Sequence, residues 1–183
     1  MSYLIASASV SRFTSTLAVN SGPSDGFMIN NYVGRNNETG NANSTGTAQN
    51  LHLYISSWGS QNNIKCSIYD EDDSGNLLES VIVNSSVGTG QVSVALLGTT
   101  TITSGGRYRL GFYTEDGNDI TLYSDTSGLT YRTEPSDGTY TSPADPSVLG
   151  SYRSFNEFYW AVDDVSSGGS IIPQIMHHRR QMQ

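Results

Sequence analysis

The chain has 183 residues, of which 36% are apolar, 10% aromatic and 14% charged. This length is typical of one domain, and the charged fraction lies well below the roughly 25% of an average protein. Lysine occurs once, at Lys65. The composition therefore argues against a helical bundle or a coiled coil, which would be rich in Ala, Leu, Glu and Lys.

Seventeen acidic against nine basic residues give a formal net charge of −8. All the acids lie in residues 1–164, and Arg179 and Arg180 make the rest of the chain basic. An acidic body repels phosphate backbones, so we expect no nucleic-acid binding and no polybasic attachment to a membrane. No apolar run approaches the ~18–20 residues of a membrane span, and no basic n-region begins the chain, so we expect neither a span nor a signal peptide.

Short runs in which apolar and polar residues alternate predict half-buried β-strands along most of the chain. In chain order the runs lie near residues 4–8, 12–19, 27–33, 51–55, 64–68, 81–83, 92–96, 108–112, 120–122 and 158–162. Turn residues rich in Gly, Asn, Asp and Ser separate them. This spacing predicts nine to eleven strands in an all-β fold, an antiparallel β-sandwich of two packed sheets.

Two stretches lack a strand pattern and are predicted to be long loops, residues 36–50 and residues 133–152. Cys66 alternates with Ile64 and Ile68, so it is predicted to be a buried core thiol. As the single cysteine, it excludes an intrachain disulfide.

The end of the chain changes character, which divides it into a domain at residues 1–165, a Ser/Gly linker at 166–170 and an extended C-terminal arm at 171–183. The arm is predicted to dock through apolar and basic side chains. They are Ile171, Ile172, Ile175, Met176, Arg179 and Arg180. Docking on its own domain and docking on a neighbouring subunit both remain open. The second alternative implies a homo-oligomer, for which a trimer is one form.

The acidic turn at residues 70–75 resembles the opening of a calcium loop, with Asp70, Asp72 and Asp73 as candidate ligands. The bidentate acid expected at position twelve of such a loop is replaced by Val81, and strands rather than helices flank the turn. A solvated hairpin connection is the simpler interpretation. We therefore expect no cofactor, with calcium as the alternative.

Catalytic patterns are scarce. The histidines are His52, in a predicted strand, and a pair in the basic arm, and no G-x-S-x-G motif occurs. Glu157 is the one acid that precedes an aromatic run within a strand, and glycoside hydrolysis needs a pair of carboxylates. The sequence therefore predicts a protein that is not an enzyme.

Aromatic residues are the stronger indication of binding, since the chain has eleven tyrosines and two tryptophans. Tyrosines occupy or border strand positions opposite the apolar series, and Trp58 lies in a polar turn. Aromatic rings beside Asn, Asp and Gln suit sugar rings, which makes four residues glycan-binding candidates. They are Trp58, Tyr54, Tyr113 and Tyr123. The alternative is that these tyrosines cover a pleated surface or a subunit interface.

Residues 51–114 carry a family resemblance. The block contains Ile64-Lys65-Cys66-Ser67-Ile68-Tyr69-Asp70, an acidic glycine turn with Leu77-Leu78, and then Gly106-Arg107-Tyr108-Arg109-Leu110-Gly111-Phe112. It is similar to the jelly-roll modules, resembling carbohydrate-binding modules, of bacterial surface proteins and tailed-phage structural proteins. The tryptophan usual in the late strand of that pattern is replaced by Tyr108-Arg109-Leu110. The resemblance implies a jelly-roll fold, and no catalytic residue carries over.

The basic arm after a Ser/Gly linker also resembles the ends of small phage virion proteins. This resemblance implies a non-enzymatic virion structural protein, a capsid decoration or cement protein on the capsid surface or tail. Its partners would be the major capsid protein or other virion subunits. The alternative is an extracellular carbohydrate-binding, lectin-like module of a phage tail, fibre or bacterial surface protein, with a cell-surface glycan as ligand.

Overall fold

The computed structural model describes residues 3–6, 14–19, 26–30, 42–115, 120–125, 131–136, 139–143, 145, 153–155 and 157–164. These residues form fifteen strands and one 3-10 turn at Ser85–Val87. The strands are β1 Tyr3–Ala6, β2 Ser15–Val19, β3 Gly26–Asn30, β4 Gly46–Thr47, β5 Asn50–Ser57, β6 Asn63–Asp70, β7 Asn76–Asn84, β8 Gly90–Ala95, β9 Thr101–Ile102, β10 Tyr108–Thr114, β11 Ile120–Asp125, β12 Tyr131–Ser136, β13 Arg153–Phe155, β14 Glu157–Phe158 and β15 Trp160–Asp163. The prediction of an all-β fold is confirmed.

The strands form two main antiparallel sheets. Sheet I has seven strands in the order β1-β15-β5-β11-β14, with β2 paired to β11 and β8 paired to β5. Sheet II has six strands in the order β13-β12-β3-β10-β6-β7. The short strands β4 and β9 form a separate pair. All the strand pairings among the described residues are antiparallel, as the alternation in the sequence predicts.

The two sheets share one hydrophobic core. Sheet I contributes alternate residues such as Leu53 and Trp160, and sheet II contributes residues such as Cys66 and Phe112. Alternation places every second side chain of a strand on the same face, so each of these strands turns one face to the shared core. This arrangement is consistent with a β-sandwich. Cys66 is buried, as predicted, and burial raises the pKa of its thiol.

The structure corrects the extent of the two predicted loops. Residues 133–152 were predicted to be a loop, but β12 continues to Ser136. Residues 46–47 form β4, inside the other predicted loop. Both segments are short and polar, and they pair with strands distant in the sequence, so no local pattern identifies them. The jelly-roll connectivity stays a prediction.

The arm at residues 171–183 and its linker lie outside the described residues. Within the part of the chain that is described, no helix combines the length and apolar character required to cross a bilayer.

Candidate functional site

The outer face of sheet I, the side turned away from the core, carries a group of tyrosines. The β5 residues that enter the core are Leu51, Leu53 and Ile55. His52 and Tyr54 alternate with them and therefore lie on the outer face. We define the tyrosine face by Tyr3, Tyr54, Tyr123 and Tyr159, which pack with Ala6 and Ala161 into one apolar cluster.

The rings of this face pack closely on one another. Tyr54 and Tyr123 are stacked, with ring centroids 3.9 Å apart and an angle of 18° between the rings. Tyr159 meets Tyr54 edge to face, at 6.5 Å and 84°. Stacked and edge-to-face pairs are the arrangements that aromatic side chains prefer. One face of the Tyr54 ring is therefore already covered by Tyr123.

The phenol hydroxyls of the tyrosine face form a small network. Gln91, which lies opposite Tyr54 on β8, donates from Nε2 to the Tyr3 hydroxyl at 3.1 Å and to the Tyr159 hydroxyl at 3.3 Å. Burial, and then the hydrogen bond with Tyr3, raise the pKa of the Tyr159 phenol above its usual value. Tyr159 therefore stays neutral around pH 7, and its hydroxyl is held by protein groups.

A buried polar cluster lies next to the tyrosines. His52 Nε2 lies 2.8 Å from Asp163 Oδ2, and Asn50 Nδ2 donates to Asp163 Oδ1 at 2.8 Å. The first of these contacts is a hydrogen bond between the imidazole ring and the carboxyl group. The Tyr3 ring meets the His52 ring edge to face at 5.2 Å. Asp163 is 1% exposed, so the cluster joins β5 to β15 beneath the surface.

A histidine oriented by a carboxylate can act as a general base when a nucleophile lies within reach. Among the described residues, no serine, threonine or cysteine side chain is seen to hydrogen-bond to His52. The contacts that the structure shows for this cluster join β5 to β15.

The remaining described side chains of the tyrosine face are small or polar. The outward positions of β8 are Gln91, Ser93 and Ala95, since Val92 and Val94 pack towards the core. The register of β11 with β2 adds two further cross-strand pairs to the tyrosine face. They are Tyr123 with Thr16 and Thr121 with Ala18. Among these described side chains no Lys, Arg or Glu occurs, and the one acid, Asp163, is buried. Asp125 of β11 and Glu157 of β14 are backbone partners in the same sheet.

Two of the predicted glycan-binding residues lie elsewhere. Trp58 is 8% exposed, packs in the core and donates from Nε1 to the Gly88 carbonyl at 2.7 Å. Tyr113 is buried on the outer side of sheet II, where its hydroxyl meets that of Tyr69 at 2.9 Å beneath Tyr140. Neither ring turns a face to solvent. Of the four candidates, Tyr54 and Tyr123 are the pair that the structure brings together.

The predicted calcium ligands all accept hydrogen bonds from other groups of the protein. Asp70 Oδ1 accepts from the backbone N–H of Asp72 at 2.9 Å and of Asp73 at 3.3 Å. Asp72 accepts from the backbone and the Nε of Arg107, and these bonds, the backbone one first, hold the pKa of Asp72 below its usual value. Asp73 accepts from Asn76 Nδ2 at 2.7 Å. Within the described residues no group of three potential ligands could hold a metal ion. These carboxylates stabilise the β6–β7 connection.

The sequence indicated Tyr54 and Tyr123 through their alternation with core residues, and Tyr159 joins them in the structure. The same alternation could have indicated His52. Asp163 could not have been paired with it, because 111 residues separate the two. Tyr3 joins the face through the pairing of β1 with β15.

Comparison with known proteins finds no match to a family model, a curated protein or a solved structure. Function is therefore inferred from the residues and their geometry.

Proposed function

We propose that this chain is a non-enzymatic structural protein of a virion, a capsid decoration or cement protein that binds neighbouring subunits through the tyrosine face. The observation that carries the binding surface is the cluster of four tyrosines on one outer face of sheet I. The virion assignment rests on the resemblance of residues 51–114, and of the basic arm, to phage structural proteins.

The composition of the tyrosine face favours a protein partner. Tyrosines are enriched in protein interfaces, and charged residues are depleted from interface centres. Tyr54 and Tyr123 are half-buried, so each has further surface to bury on contact with a partner. Their hydroxyls also allow hydrogen bonds without the cost of removing an ion from water.

The ring geometry also favours packing against a protein over binding a sugar. A sugar binds an aromatic residue mainly by lying on an open ring face. One face of the Tyr54 ring is taken by Tyr123, at a centroid distance of 3.9 Å. Trp58, which would offer the largest platform, is buried. We therefore place the chain on a capsid surface or tail, with the major capsid protein or another virion subunit as partner.

Replacing Tyr123 by lysine tests the tyrosine face. The new charge would be buried against the partner, and loss of a tyrosine from the centre of an interface costs ~2 kcal/mol or more. We expect binding to be about 30-fold weaker. The assay is cosedimentation of the purified chain with capsid shells of the encoding phage that lack it.

A matched control is Tyr140→Lys, which makes the same change at a half-buried tyrosine beside sheet II. Its binding to the shells should equal that of the unchanged protein. Both variants are first compared by circular dichroism and thermal melting. Equal binding of the two variants to shells would contradict the assignment of the tyrosine face.

Removal of residues 171–183 tests the C-terminal arm. We propose that its apolar side chains, Ile171, Ile172, Ile175 and Met176, anchor the subunit, while Arg179 and Arg180 contact acidic protein surface. The last described strand ends at Asp163, before the arm, so we expect the melting temperature not to change. Cosedimentation with the shells should be abolished. Undiminished binding would show that the arm has no part in attachment.

The alternative function is an extracellular carbohydrate-binding module. It would have to use the free sides of Tyr54 and Tyr123, since Trp58 and Tyr113 are buried. A glycan array probed with the full chain distinguishes the two functions. Sugar binding that Tyr123→Lys removes and Tyr140→Lys retains would replace the virion assignment by the glycan one.

A further inference from the structure

Both sheets end on the same side of the sandwich. β7 is the last strand of sheet II, and β8 lies beside β5 with no further described strand paired to it. The two strands are consecutive and are joined by the turn at Ser85–Val87 and Gly88. We call this the β7–β8 side. It presents two strand edges that no other described strand covers.

Part of β7 directs backbone N–H and C=O groups away from its partner strand β6. The Ser85 N–H donates to the Asn62 carbonyl at 2.8 Å. In an antiparallel pair the backbone groups of successive residues point alternately towards and away from the partner. The backbone groups of Val81 and Val83 therefore point to β6. Those of Ser80, Ile82 and Asn84 point away from β6, to the outside of the sheet. Unpaired groups of this kind are a template for another strand.

The exposed apolar side chains lie along the same side. Among the described residues, three large apolar side chains are exposed to solvent. Their exposed fractions are 53% for Ile82, 39% for Val87 and 78% for Leu97. Ile82 is in β7, Val87 is in the turn, and the Leu97 N–H donates to Glu79 Oε1, which places Leu97 beside β7. All three therefore lie in or beside the strands and the turn of the β7–β8 side.

This side also lacks the usual protection of an edge. Natural edge strands are often guarded by Lys, by Pro or by charges that face the edge. β7 and β8 contain no Lys, Arg or Pro. Their one ionisable residue, Glu79, is 5% exposed and accepts from the Leu97 N–H and Thr100 Oγ1. Asp145 accepts from the Leu77 N–H at 3.1 Å, so the beginning of β7 is covered and the unguarded stretch starts after it.

We propose that this stretch pairs antiparallel with β7 of a second copy of the chain, with Ile82 opposite Ile82 at the two-fold axis. This register uses the outward groups of Ser80, Ile82 and Asn84, because it sets Ser80 of one copy against Asn84 of the other. It buries the exposed Ile82 on its own counterpart. It also brings the Val87 end of one copy towards the Leu97 end of the other.

A second copy fits this edge better than a charged partner. The unguarded stretch carries no ionised side chain, so two copies can meet here although each has a net charge of −8. A five-residue strand pair buries much less than the ~1,600 Å² of a standard stable interface. The dimer should therefore be weak and strongly dependent on concentration. This inference does not depend on the proposed function, because it concerns the isolated chain.

Cysteine cross-linking of the full chain tests the register. In Ile82→Cys the two Cα atoms would lie about 5.5 Å apart, within the range of a disulfide. In Asn84→Cys, on the same strand, they would lie about 14 Å apart and could not be joined. The native Cys66 is buried and its thiol pKa is raised, so it should not contribute. Under mild oxidation we expect a covalent dimer from Ile82→Cys and none from Asn84→Cys.

Equal yields of dimer from the two cysteine variants would overturn the proposed register. Ile82→Lys supplies an independent measurement, since it places like charges opposite each other at an exposed position. We expect its self-association, measured by sedimentation velocity over a concentration series, to be about tenfold weaker than that of the unchanged chain. Self-association unchanged by this substitution would place the contact elsewhere. Neither experiment uses capsid shells, so failure here leaves the proposed function untouched.

Discussion

Trp58→Ala is expected to lower the free energy of unfolding by ~3–5 kcal/mol, the usual cost of truncating a large buried aromatic residue. Trp58 is 8% exposed and belongs to the core shared by the two sheets. Its Nε1 donates to the Gly88 carbonyl at 2.7 Å, so it also fixes the connection from β7 to β8. Removing the ring leaves a cavity at the end of β5 and an unpaired carbonyl. Urea unfolding followed by circular dichroism measures the loss.

Trp58→Phe is the matched control, since it retains most of the apolar volume and removes the indole hydrogen bond. It should cost ~1 kcal/mol for the bond, plus a smaller cavity term. A loss below 1 kcal/mol in Trp58→Ala would mean that the ring is not part of the core. A large loss of stability would also agree with the burial that removes Trp58 from the glycan-binding candidates.

Asp163→Ala should destabilise the fold by ~3 kcal/mol. The carboxylate accepts from Asn50 Nδ2 and from His52 Nε2, each at 2.8 Å. Alanine would remove the acceptor of both bonds at a buried site, and an unsatisfied buried polar group costs ~1–3 kcal/mol. Chemical denaturation at pH 7 measures the change.

Asn50→Ala is the control for this cluster. It removes one donor and leaves the contact between Asp163 and His52, so it should cost less than Asp163→Ala. A double variant at both positions should cost less than the sum of the single changes, because they share one hydrogen bond. Purely additive effects would contradict a connected cluster.

Strands with clear alternation could be predicted from the sequence, but β12 could not. Its sequence is polar and contains Pro135, which disfavours the interior of a sheet. Pro135 lies opposite Phe27 of β3, whereas β13 pairs with residues 131–133 of β12. The described pairing of β12 with β13 does not reach Pro135. The N–H that this proline lacks therefore removes no hydrogen bond between these two strands. Pairing with β3, rather than the local sequence, therefore determines that these residues form a strand.

The candidate site was predictable in the same limited way. Alternation places Tyr54 and Tyr123 opposite the core positions of their strands, and the structure stacks them. Alternation also places Tyr113 outward, but Tyr140 covers it there. Local pattern assigns a residue to a face, whereas a distant segment decides whether that face reaches solvent. The burial of Trp58 in a polar turn depends on such a segment too, the β7–β8 connection.

The pairing of β1 with β15 determines the order in which the fold can be completed. Tyr3 lies opposite Asp163, so the first and last described strands are neighbours in sheet I. During synthesis the N-terminal strand has no partner until nearly the whole of residues 1–163 has left the ribosome. Contacts this distant in sequence slow folding and leave strand edges open to wrong pairings in the meantime. Domain closure is therefore a late event, and a nascent chain halted before β15 would lack the strand on which β1 docks.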